Sequence, residues 1–75
     1  MENKLKKILS LILEVEEEKI DYDTSADNIE DWDSLNQMNI IVALEEEFNI
    51  QFDEDESILS NSYIALLKAL KKKIK

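Results

Sequence analysis

A chain of 75 residues with a formal net charge of −9 and neither cysteine nor histidine lacks the usual thiol nucleophile, the usual general base and the commonest zinc ligands, so it is not expected to be an enzyme by itself. A paired-carboxylate mechanism would need a concave pocket holding two acids at fixed separation, which a bundle this small rarely builds. The length is near the lower limit for one hydrophobic core and no disulfide can help it, so the expectation is one domain over residues 1–75, stabilised by packed helices.

Leu5, Ile8, Leu9 and Ile12 recur at helical spacing from about Lys4, with Val15 at the edge of the same face. The first helix is therefore amphipathic and is expected to end in the Glu16-Glu17-Glu18 run. From Lys19 to Trp32 the pattern gives way to Asp21, Asp23, Thr24, Ser25, Asp27 and Asn28, residues that bond their own backbone and favour turns. Ile20, Ile29 and Trp32 are the apolar pins of this long ordered loop, and a buried Trp32 needs a partner for its indole N–H. Asp21, Asp23, Ser25 and Asp27 alternate as calcium-loop ligands do, but Ala26 replaces the required glycine and Trp32 the bidentate glutamate, so no calcium site is predicted.

The next helix runs from Leu35 to Phe48, unbroken by Gly or Pro. Asp33 or Ser34 can cap it, and Ser34 with Gln37 three residues on fits the capping-box pattern. Ile40, Ile41, Leu44 and Phe48 fall on one side of the wheel, and Leu35, Met38 and Val42 fall nearly opposite. One apolar face suffices for a core. The second, flanked by Glu45 and Glu46, reads as a docking strip rimmed with negative charge, with Ser34 at its upper end. Asp53 with Glu56 then starts a short helix ending near Ile58 and Leu59. Ser60, Asn61 and Ser62 form a turn and cap before a last helix with the stripe Tyr63, Leu66, Leu67, Leu70 and Ile74.

These elements predict an all-α, antiparallel four-helix bundle: three longer helices, a short third one and a long first loop. From Glu14 to Glu56 there are seventeen acids against the single Lys19, while the other eight lysines lie at the two ends and read as solvated helix termini. The acidic middle disfavours nucleic acid and anionic membranes and would steer a basic protein partner. No apolar stretch approaches a membrane span and no signal-peptide pattern opens the chain, so a cytoplasmic location is expected. The residues alone leave two readings: an acidic helical interaction module in which Ser34 is only a cap, or something built on Ser34.

The pattern from about Lys4 to Ile74 resembles the acyl carrier proteins, specifically the small stand-alone ones. Asp33-Ser34-Leu35 matches their Asp-Ser-Leu attachment motif, followed at family-like spacing by Ala43-Leu44-Glu45-Glu46-Glu47-Phe48 and the acidic segment Asp53 to Glu56. The resemblance implies that Ser34 carries a covalent 4′-phosphopantetheine arm, donated from coenzyme A by a phosphopantetheinyl transferase, with Asp33 assisting that enzyme's metal-dependent recognition. It implies further that Leu35, Met38, Val42, Glu45 and Glu46 belong to a recognition helix for acyl-transferring or acyl-activating enzymes with basic docking patches. The carrier would hold acyl or related groups as thioesters, as a monomer by default.

Trp32 stands where carriers of general fatty acid synthesis commonly have glycine, and Asn36, Gln37 and Asn39 are amides where those carriers often have acids or threonine. Both features point to a specialised biosynthetic pathway. Peptidyl carriers usually show Gly-Gly before the motif and D-alanyl carriers tend to have methionine at the place of Leu35. An aminoacyl, peptidyl or D-alanyl cargo nevertheless stays open beside a fatty-acid or polyketide one.

Overall fold

Helix α1 (Glu2–Leu13) is followed by a 3₁₀ turn (Glu17–Lys19), a long loop, α2 (Ser34–Phe48), α3 (Glu54–Leu59) and α4 (Tyr63–Lys73). The computed structural model describes residues 1–74, and the four helices and long first loop are those the sequence pattern predicts. α1 stops earlier than its glutamate run. Glu14 takes a left-handed conformation (φ 56°) and its N–H bonds the Ser10 carbonyl, so Glu17 and Glu18 pass into the separate 3₁₀ turn. A non-glycine residue in that region costs about 1–2 kcal/mol. α2 ends the same way at Asn49 (φ 54°), where the short amide side chain makes the conformation easier.

The core is one cluster drawn from every long helix and the loop. Leu5, Leu9, Ile40, Leu44, Leu66 and Leu70 are all at 0 % exposure, joined by Leu13, Ile20, Ile41, Trp32 and Tyr63. Each such aliphatic side chain contributes roughly 1.5–3 kcal/mol on burial, an upper estimate because an unfolded chain already hides some surface. α3 contributes nothing to this cluster: none of its residues is buried. Phe52, just before it, is tucked in. The position of α3 therefore rests on polar ties.

The first loop is ordered by its own side chains, as its composition requires. Asp21 Oδ1 accepts from Asp23 N–H at 2.9 Å, Thr24 Oγ1 accepts from Asp21 N–H at 2.9 Å, and Asn28 Nδ2 donates to the Asp23 carbonyl at 2.6 Å. The loop is stitched to the start of α4 by an isolated antiparallel bridge between Ser25 and Ser62, with Tyr63 N–H on the Thr24 carbonyl at 2.9 Å and Ala26 N–H on the Asn61 carbonyl at 2.9 Å. Ile20 and Trp32 are buried and Ile29 half-buried, so the pins hold the loop across the bundle and deliver Trp32 to the mouth of α2.

Lys73 departs from the solvated reading of the terminal lysines. Lys73 Nζ lies 2.7 Å from Glu56 Oε1 with both side chains mostly shielded, and 5.4 Å from the centre of the Phe52 ring. Lys4 reaches Glu47 at 3.3 Å, an exposed pair of small energetic weight.

Candidate functional site

The entry to α2 is built on Asp33. Its backbone is extended, its carboxylate accepts from Asn36 N–H at 2.8 Å, and its carbonyl takes the first helical bond, from Gln37 N–H at 2.8 Å. Asp33 is thus the N-cap and Ser34 the first helical residue, which corrects the expected Ser34–Gln37 capping box. An oxygen cap of this kind contributes about 1 kcal/mol. Freed of that duty, Ser34 stands exposed in the first turn, where backbone N–H groups lack helical acceptors and the dipole favours an anion. The Asn36 amide reaches back to the Asp31 carbonyl at 2.7 Å, fixing the approach to the helix.

Gln37, expected at the cap, points inward instead. It accepts from the Trp32 indole N–H at 2.6 Å, and its amide nitrogen donates to the Ser57 carbonyl at 2.7 Å and the Ser60 carbonyl at 2.9 Å. The Ser57 carbonyl lies in the last turn of α3 and the Ser60 carbonyl just past it, where no further helical N–H follows, so a side chain from α2 caps α3 from outside. Trp32 and Gln37 are both buried. Each polar atom of the pair is satisfied, which removes a desolvation cost of about 1–3 kcal/mol per group. Sequence reasoning missed this role, although the signal was present: Gln37 lies four residues before Ile41 and seven before Leu44, in the middle of the core-facing stripe.

Beside this lattice, a shallow pocket of about 380 Å³ opens next to Ser34, lined by Trp32, Gln37, Met38, Ser57, Ile58 and Asn61. Outside it lies the expected strip. Leu35 is 71 % exposed, Met38 54 % and Val42 47 %, so this face of α2 is left largely open to solvent. It continues onto α3, where Ile58 and Leu59 are exposed as well and Ile58 shares the pocket wall with Met38. Exposed apolar side chains grouped in this way form a candidate contact surface. Glu46 is exposed beside it. Glu45 is different from the free rim charge expected of it: half-buried, it accepts from Phe52 N–H at 2.8 Å and anchors the turn into α3.

α3 is secured at its start by a full capping box, with Asp53 accepting from Glu56 N–H at 2.8 Å and Glu56 accepting from Asp53 N–H at 3.1 Å. The Lys73 ammonium bonded to Glu56, helped by the Asp53 N–H, holds that carboxyl below the usual glutamate range. Across the bundle, the Tyr63 hydroxyl donates to Glu2 at 2.8 Å. Burial, and then that hydrogen bond, push the phenol well above its ordinary range.

Comparison with known proteins places this geometry. Residues 3–70 match the family described as "Phosphopantetheine attachment site". Two acyl carrier proteins of Buchnera aphidicola subsp. Acyrthosiphon pisum, from strains Tuc7 and APS, are each 34 % identical over 73 residues, covering 97 % of this chain and 91 % of the relative. A third, from strain 5A, is 39 % identical over 57 residues, covering 76 % of this chain and 71 % of the relative. No helix among the described residues is long and apolar enough to cross a membrane. The chain belongs to the acyl carrier protein family, whose members carry 4′-phosphopantetheine covalently and serve as carriers rather than enzymes.

Proposed function

We propose that Ser34 is the attachment point of the 4′-phosphopantetheine arm and that the chain, acting as one domain and a monomer, presents acyl or related groups to the enzymes of a specialised biosynthetic pathway. The observation that carries this reading is the division of labour at the head of α2: Asp33 caps the helix and leaves the Ser34 hydroxyl exposed. A phosphodiester on that hydroxyl would meet the free N–H groups of the first turn and the positive end of the helix dipole. The arm supplies the thiol on which cargo is held as a thioester, a group the chain itself lacks.

Asp33, beside Ser34, serves recognition by the transferase through its exposed carboxylate. Leu35, Met38 and Val42 form the apolar centre of the docking surface, with Glu46 as its free charge and Glu45 contributing from a fixed position. Enzymes with basic patches would find this face quickly and leave it quickly, which suits a shuttle that visits several partners. Trp32 and the amides Asn36, Gln37 and Asn39 support the specialised pathway, since they stand where carriers of general fatty acid synthesis usually have other residues. Dependence on coenzyme A and a transferase supports action in the cytoplasm.

Fragment mapping of the loaded chain tests the assignment. The mass of the arm is expected on Ser34 in the peptide containing Asp33-Ser34-Leu35. Its appearance on Ser10, Ser25, Ser57, Ser60 or Ser62 would overturn it.

A further inference from the structure

Helix α3 has six residues and buries none of them, so apolar packing does not hold it. Its first turn is tied by Glu56 to Lys73 at 2.7 Å. Its last turn is tied by Gln37, whose amide nitrogen spans the Ser57 and Ser60 carbonyls at 2.7 and 2.9 Å while its oxygen is locked by Trp32 Nε1–H at 2.6 Å. The pocket beside Ser34 lies between α2 and α3, and Gln37 and Trp32 form part of its wall. Behind Gln37 on the same face of α2 come Ile40, Ile41 and Leu44, all buried. An alkyl chain tethered at Ser34 could reach that apolar interior only by prising α3 from α2. Doing so strands the buried Gln37 amide nitrogen and the Ser57 and Ser60 carbonyls that it holds, while the Trp32 bond to Gln37 stays on the α2 side.

We propose that Gln37 sets the cargo class of this carrier: it latches α3 against α2, so that cargo stays outside the core, no deeper than the pocket beside Ser34, and long alkyl chains are not taken inside. The inference rests on Ser34 as the attachment point and deepens that reading. Exposed Leu35, Met38, Ile58 and Leu59 around the pocket mouth then leave the cargo accessible on the surface where partner enzymes dock. Gln37 is a specificity-determining, positioning residue and touches no reacting atom.

The test needs no transferase, because the natural chain has no cysteine and the Ser34→Cys variant offers a single thiol. That variant is labelled with methyl or octyl methanethiosulfonate, alone and combined with Gln37→Ala, and the methyl NMR signals of Ile40, Leu44 and Leu66 are recorded with the melting temperature. With Gln37 present, the octyl and methyl labels should give the same core signals. With Gln37→Ala, the octyl label should shift those signals and raise the melting temperature by a few degrees over the methyl label. Trp32→Phe, which removes the N–H that locks Gln37 and keeps the ring, should open the core in the same way if the alanine variant does not fold. Core shifts from the octyl label with Gln37 intact would overturn the proposal. So would continued exclusion of the octyl chain in the folded Gln37→Ala or Trp32→Phe background. Failure of Ser34 to accept the arm would show separately, in the mass of the transferase-treated wild type, and is not confused with either result.

Discussion

Replacing Gln37 by methionine keeps the length of the side chain and removes one acceptor and two donors from a buried site. The Trp32 indole N–H, now bonded to Gln37 at 2.6 Å, would be left without its partner in a residue only 4 % exposed, at a cost of about 1–3 kcal/mol. The Ser57 and Ser60 carbonyls lose their donor too. Ser57 is half-buried, so water can compensate there in part, and the sum comes to about 2–4 kcal/mol. A chain of this length has about 4–11 kcal/mol in total, so the variant should fold with much of its margin gone. At about 4–8 °C per kcal/mol for a domain of this size, the melting temperature should fall by about 10–30 °C. Urea unfolding followed by far-UV circular dichroism and by Trp32 fluorescence measures the loss directly. The double variant with Trp32→Phe should cost less than the two single changes added together, by about 1 kcal/mol or more, because the two side chains bond each other. A loss below about 0.5 kcal/mol for Gln37→Met, within the range of ordinary surface changes, would refute the view that this lattice holds α3 to α2.

At the head of α2, Asp33→Ala should lower stability by about 1 kcal/mol through loss of the cap, whereas Ser34→Ala should stay within about 0.5 kcal/mol of wild type; urea midpoints of the two variants decide it. Met38→Glu and Val42→Glu, on exposed positions, should leave the melting temperature nearly unchanged and weaken docking to a basic partner enzyme, seen as a raised KM for the loaded carrier. For Glu56, the folded carboxyl lies below its ordinary value of 4.5 because of Lys73. Its contribution to stability is therefore complete above that value and is lost as pH falls through the lowered pKa. The urea midpoint of wild type should thus drop more steeply on acidification below pH 4.5 than that of Lys73→Met, and equal slopes would show that the pair does not hold α3.

The helices were readable because their signals are local. Spacing alone separates Ile40, Ile41 and Leu44 from Leu35, Met38 and Val42, and the structure buries the first set and exposes the second. The Asp53–Glu56 capping box and the Ser62 cap lie within one turn of chain and were equally plain. What the sequence hid depends on partners far along the chain. Gln37 looks like half of a capping box until its bonds to Ser57 and Ser60, twenty and twenty-three residues away, are known. Asp33 and Ser34 are both good caps, and the choice between them turns on one residue of helix register. Glu45 reads as rim charge because glutamate is usually solvated, yet the turn after α2 brings the Phe52 N–H to it. At the end of α1, a chain without glycine gives no breaker to read, and Glu14 takes the left-handed position itself.

The central claim is that Ser34 receives the arm. Intact-mass measurement of the wild-type chain and of Ser34→Ala, each incubated with coenzyme A, magnesium and a phosphopantetheinyl transferase that modifies a control carrier in the same tube, tests it most directly. The account predicts a gain of one 4′-phosphopantetheine by the wild type and none by Ser34→Ala. A gain by Ser34→Ala, or no gain by folded wild type with its cognate transferase, would contradict it.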